Sequence, residues 1–266
     1  MLKLGAAIVI VAALAALVGP ALSPFDPAAQ QLALRLAGPS RVHPFGLDEL
    51  GRDVLARVLA WTRISFLVGL TVVSVSALLG TLLGAMAGYF GGLLDDLVSR
   101  VIDTLLAFPG LLLAIALVAV LGPGLGNVLF ALTIIGWVGY ARLVRGQVLR
   151  ARELEYVQAA RALGAGAPRI LLRHVVPTAM PAVVVQATLG MAGAIIGEAA
   201  LSFLGLGVQP PTPSWGTMLN GGRAHLLDAP HVTIVPGLAI ALLVLGFNFF
   251  GDGLRDLTDP RRTRHS

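Results

Sequence analysis

The 266-residue sequence has no cysteine, a single lysine at position 3, and only 12% charged residues. Without cysteine there are no disulfides, thiolate metal sites or cysteine nucleophiles. A Walker A loop needs a lysine directly after its glycines to hold phosphates. A lone Lys3 therefore excludes ATP hydrolysis through a P-loop in this chain. Soluble domains carry about 25% charged residues, roughly twice what is present, which excludes an ordinary cytosolic enzyme and a disordered chain. The five histidines (His43, His174, His225, His231 and His265) include no pair at metal-ligand spacing on a helix and no His-Glu-x-x-His sequence, so no metal site is expected.

What is abundant is apolar: 56% of residues, with mean hydropathy +0.85. A helical span needs about 20 apolar residues to cross roughly 30 Å of hydrocarbon. Uncharged runs of that order occupy Leu4–Phe25, Ile64–Leu94, Thr104–Ala141, His174–Gly197, Ala199–Gly222 and Val232–Gly251. Gly122-Pro123-Gly124 divides the third run. The Pro-rich stretch Gln209–Pro213 ends the helix that continues past Glu198. The expected fold is an all-α integral membrane protein with six spans near 4–22, 64–87, 101–121, 127–147, 181–205 and 232–251. Residues 1–22 are expected as a retained first helix, and 64–254 as a five-helix core. Residues 255–266 are expected as a tail.

Six spans put both termini on one side, and the positive-inside rule selects it. With the N-terminus inside, 13 of the 19 basic residues face the cytoplasm, including seven arginines from Arg142 to Arg173. Both termini are therefore expected in the cytoplasm. This placement also explains the pI near 10.6 without nucleic-acid binding, for which no motif is present. The outward loop 23–63 is nearly neutral, and Leu47, Leu50, Val54, Leu55, Val58 and Leu59 recur at helical spacing, predicting an amphipathic helix running into span two.

The most informative stretch lies between spans four and five. Glu155-Tyr156-Val157-Gln158-Ala159-Ala160-Arg161-Ala162-Leu163-Gly164 leads through Ala165–Pro168 to Arg169–Pro177. Tyr156, Ala159, Ala160 and Leu163 share a helical face. Gly164 or Gly166 supplies a stop, and Pro168 suits a second helix start. Small residues at 159, 160 and 162 allow another protein close approach. A plain interspan linker fits the same pattern.

Gln158-Ala159-Ala160, Gly164 and Pro177 resemble the "EAA…G…P" loop of ABC importer permeases, with Gln158 in place of Glu. Three further stretches resemble the dipeptide/oligopeptide/nickel class of that family. They are His43-Pro44-Phe45-Gly46 with Asp48–Leu55, then Leu201–Gly207 with Pro213-Ser214-Trp215-Gly216, and Leu254-Arg255-Asp256 with Asp259-Pro260-Arg261. The resemblance covers residues 3–262. It implies a non-catalytic permease subunit of a bacterial or archaeal cytoplasmic membrane that carries small peptides or related solutes such as nickel chelates. It implies three kinds of partner besides lipid: a homologous second permease, two ATP-binding subunits holding ATP and Mg, and an extracytoplasmic solute-binding protein. It assigns ATPase coupling to Glu155, Tyr156, Gln158, Ala159, Ala160, Arg161, Ala162, Gly164 and Pro177.

Glu198 is the only acid deep in a span, where a charge costs about 2.5–3.5 kcal/mol on insertion scales. It fits either a path-lining group or a hydrogen bond to Ser202 or the partner permease. Gly80, Gly84 and Gly88 form a small-residue stripe for helix packing, within the chain or against the partner; Gly190 and Gly193 fit the same use. Pro109–Gly110, or Gly136 and Gly139, are candidate bends. The outer loop 206–231, with Trp215, His225, Asp228 and His231, is expected as surface or lid. An ion-gradient carrier is the alternative, but such carriers hold several intramembrane charges and repeats. A membrane enzyme is disfavoured because no polar set converges in the spans.

Overall fold

In the computed structural model, which describes residues 1–258, the apolar runs fold as helices. The order is α1 (Leu2–Leu22), α2 (Val54–Phe90), α3 (Gly92–Leu106), α4 (Gly110–Leu121), α5 (Leu125–Ala151), α6 (Glu155–Ala162), α7 (Ala167–Ile170), α8 (Val176–Phe203), α9 (Trp215–Gly222) and α10 (His231–Thr258). Five described helices are long and apolar enough to cross a membrane, or six if α3 and α4 count as one broken span. The expected tail motif Asp259-Pro260-Arg261, most of the tail 255–266 and His265 lie outside the described residues.

Span three, expected over 101–121 with Pro109–Gly110 as a candidate bend, starts earlier, at Gly92, and bends at that place. It is two helices at 89°, broken where Pro109, which cannot donate to a helix ladder and disfavours helical backbone in Phe108 before it, interrupts the chain. Span two departs at its start. The helix begins at Val54, and Leu47 and Leu50 are not in an amphipathic helix. Asp48 Oδ1 accepts from the Leu50 and Arg52 backbone amides, both at 2.9 Å, and Gly51 adopts φ +70°. These interactions close residues 47–53 into a knot bridged from Leu47 to Asp53. Asp53 then caps α2, accepting from the Ala56 amide at 2.7 Å and from His43 Nδ1 at 2.8 Å. This local competition for backbone donors explains the His-Pro-Phe-Gly and Asp-Glu-Leu-Gly-Arg-Asp sequences as a helix start.

The core is built on α2, α5 and α8. Gly80 lies against Trp137–Ala141 and Gly88 against Arg145–Val148. Both residue numbers rise together, so α2 and α5 run parallel, and α3–α4 returns the chain between them. At the end of this pair, Arg145 binds Asp95 of α3 through two guanidinium nitrogens, and Arg152 Nη1 donates to Gly88 O at 3.1 Å. Helix α1 packs on α10, with Gly5 against the Phe249–Phe250 backbone and Gly253 against Leu2.

At the opposite end the 206–231 loop is more structured than expected. Ser214 and Thr217 form a reciprocal capping box that starts α9. Trp215 is buried rather than a surface or lid residue, and its indole N–H donates to Val58 O at 3.2 Å. His231 Nε2 meets Leu47 O at 3.1 Å, and His225 pairs with Asp228 at 3.1 Å.

Candidate functional site

At the arginine-rich end of the bundle, α5 stops at Ala151 and three residues lead into α6. Only Val157 of this eight-residue helix is buried, at 0% exposure. It is the single apolar pin, and the face expected from Tyr156, Ala159, Ala160 and Leu163 is not the buried one. Glu155, Tyr156, Gln158, Ala159, Arg161, Ala162 and Gly164 are exposed, and Ala160 is half-buried. Leu163 stands 88% exposed, a large apolar group in the open beside a row of alanines.

Polar contacts hold this helix from its edges. Tyr156 Oη donates to His174 O at 3.4 Å, and Gln158 Nε2 donates to Glu153 O at 3.2 Å. The Arg161 guanidinium sits 5.8 Å from the centroid of the Tyr89 ring at the end of α2, a cation–π distance. Glu155 in the first turn and Arg161 in the last turn each suit the helix dipole.

Gly164, rather than Gly166, is the stop. Its φ is +83°, the left-handed region that side chains with a Cβ resist. The Ala165 amide donates back to Ala160 O, and the Gly164 amide to Arg161 O, both at 3.0 Å. This is the two-bond Schellman closure of a helix C-terminus. The glycine of the "EAA…G" spacing is thus a backbone requirement. The proline has a similar cause. Instead of a separate second helix over 168–177, α7 passes through a π-helical turn, Leu171–Val175, into α8. Pro177 would clash with the carbonyl four residues back in a regular helix, and the widened turn precedes it.

The glycine stripe faces inward on α5. A Cβ at Gly80 would stand 2.5 Å from Trp137 O, and one at Gly84 would strike the Ala141 carbonyl. The stripe therefore seats a helix of the same chain.

Glu198 and Ser202 lie toward the other end, in the last turns of α8. Ser202 Oγ donates to Glu198 Oε1 at 2.5 Å. Glu198 is 2% exposed and Ser202 fully buried. The Trp61 indole also bears on that carboxylate, beyond hydrogen-bonding geometry. The pair is sealed among α2, α8 and α9 and does not line the cavity between α2, α4, α5 and α8.

That cavity, of about 400 Å³, opens between α2, α4, α5 and α8. Its polar groups are Ser76, Tyr140 and Gln186, none of them singled out in the sequence. Gln186 carried a signal, being the only carboxamide in α8. Gly136 and Gly190 let the Ser76 and Tyr140 hydroxyls approach the backbone, where a Cβ would stand 2.5 and 2.6 Å from them, and Gly193 faces open space.

An all-helical, multi-pass bundle with an exposed short helix at its basic end has the architecture of an ABC transporter membrane subunit. Residues 80–264 match the family described as binding-protein-dependent transport system inner membrane component. Over 224 residues the chain is 49% identical to the glutathione transport system permease protein GsiD of Pectobacterium atrosepticum, covering 84% of this chain and 74% of that protein. Over 227 residues it is 48% identical to the dipeptide transport system permease protein DppC of Alkalihalophilus pseudofirmus, covering 85% and 75%. A chain of the inward-facing MetNI methionine ABC transporter matches with TM-score 0.57 at 20% identity, covering 77% of this chain and 96% of that one; this likeness shows the fold. The chain belongs to the binding-protein-dependent inner membrane component family and is a permease of an ABC transporter. Membership sets aside the ion-gradient carrier.

Proposed function

We propose that this permease forms half of a translocation pathway for small peptides in a bacterial cytoplasmic membrane, with a homologous permease forming the other half. The observation that carries the coupling part is α6. It is a short helix with Val157 as its one buried side chain, with Ala159 and Ala162 open, Ala160 half-open and Leu163 exposed at its end. An exposed apolar and small-residue patch of this kind fits a protein partner. Helix α6 docks on an ATP-binding subunit, one of two, where ATP and Mg are held. The lack of a P-loop lysine here supports assigning the hydrolysis to them. The other end, built from the 47–53 knot and α9, receives a solute-binding protein outside the cell. The dipeptide and glutathione named for the relatives favour peptide cargo.

The test is reconstitution of the permease with its cognate partners in proteoliposomes. Ala160→Arg places a charged, bulky group on the docking face. It is expected to abolish cargo-stimulated ATPase activity and release the ATPase subunits on purification. Stimulated ATPase activity at the unsubstituted level in Ala160→Arg would overturn the docking assignment.

A further inference from the structure

We propose that Gln186 is the cargo-contacting residue of the pathway and that it recognises the peptide bond itself, an inference that rests on the peptide-import reading above. Gln186 is the eleventh of the 28 residues of α8, and Tyr140 is the sixteenth of the 27 residues of α5. Both therefore lie deep in their spans, and the two line the same cavity of about 400 Å³.

The hydroxyls there are already committed. Ser76 Oγ donates to Thr133 O at 3.3 Å, and Tyr140 Oη donates to the backbone oxygen of Gln186 at 3.4 Å. The Gln186 carboxamide makes no hydrogen bond among the described residues. A polar group at hydrocarbon depth without a partner is costly, and spanning segments retain one where it meets another chain, water or cargo. A carboxamide presents one acceptor and two donors, so it can accept from the N–H and donate to the C=O of a peptide group.

No residue lining this cavity is charged. A wall of this chemistry favours the neutral main chain over charged termini or side chains. Gly193, where a Cβ would meet nothing within 4 Å, leaves room beside the carboxamide for side chains of different size. The result is a site selective for the amide group and tolerant of the residues it joins.

The experiment uses the complete importer with its binding protein in proteoliposomes. The probes are trialanine and trialanine N-methylated at its central peptide bond. Gln186→Leu keeps the volume and removes the amide, so the span remains well suited to lipid. One lost hydrogen bond to cargo in the transition state gives an expected fall of about tenfold in trialanine uptake, with the importer still assembled and with partial recovery in Gln186→Asn. N-methylation lowers uptake by the unsubstituted importer, and in Gln186→Leu the ratio between the two peptides approaches one. Effects of methylation on the binding protein are common to both importers and cancel when the ratios are compared. An unchanged ratio, undiminished trialanine uptake, or loss of the second permease on purification of Gln186→Leu would each overturn the assignment. If the unsubstituted importer takes up neither peptide, the peptide-import reading falls with it.

Discussion

Gly84→Ala tests the seam between α2 and α5. The added Cβ falls on the Ala141 carbonyl oxygen and 3.0 Å from Ala141 C and Cα. Carbon atoms in contact rest at about 3.5–4.0 Å, so the helices must part by about 0.5–1 Å, and a gap of that size forfeits a quarter to a half of each dispersion contact across the seam. Overpacking of this kind costs about 1–3 kcal/mol, and the exchange of glycine for alanine in a helix returns about 1 kcal/mol. The expected net loss is centred near 1 kcal/mol, within a range of about 0–2 kcal/mol. Gly146 on α5 provides the control, since a Cβ there meets nothing within 4 Å. Gly146→Ala therefore keeps only the helix-propensity gain, about 0.5–1 kcal/mol. The assay is SDS titration of the purified permease in detergent, followed by tryptophan fluorescence. Gly84→Ala is expected to unfold at lower SDS fraction than the parent, and Gly146→Ala at the same or a higher one. A Gly84→Ala midpoint at or above the parent value would refute the close-approach reasoning.

The remaining predictions concern the two ends of the molecule. Gly164→Ala strains the left-handed residue that closes α6 and is expected to cost about 1 kcal/mol locally and reduce cargo-stimulated ATPase activity. Gly166→Ala, at φ −69°, should leave that activity unchanged, and a larger defect at Gly166 than at Gly164 would contradict the capping assignment. Ser202→Ala removes the 2.5 Å donor to Glu198 and is expected to lower stability by about 1–3 kcal/mol, read as a reduced melting temperature of the purified permease. An unchanged melting temperature would show that the buried carboxylate does not depend on Ser202.

Hydropathy reads the spans well because a run of apolar residues needs no partner to be recognised, and the helices α1, α5, α8 and α10 fall close to their expected positions. It fails where polar side chains compete for backbone donors. The period of Leu47, Leu50, Val54 and Leu55 is helical, but Asp48 captures the Leu50 and Arg52 amides first. At Pro109 the apolar run continues without a mark, and it is the proline that names the place of the bend, though not its 89° angle. In α6 the small residues are legible, while the buried pin, Val157, is not: its burial depends on neighbours distant in sequence. The polar groups of the cavity, Ser76, Tyr140 and Gln186, come from three different helices, so no local spacing announces them.

The parallel pairing of α2 and α5 has a mechanical consequence. Helix α5 has 27 residues and is therefore about 40 Å long. The glycine seam and the Arg152–Gly88 bond join it to α2 along its second half, the Arg145–Asp95 pair ties it to α3, and only three residues separate its end from α6. The two helices make a stiff beam with a handle at one end and the cavity wall partway along. A tilt of about 6° about the far end moves the handle by about 4 Å, and the wall at Tyr140, a little over halfway along, by about half of that. A stroke at α6 is thus geared down to a displacement on the scale of one hydrogen bond where Gln186 and Tyr140 meet.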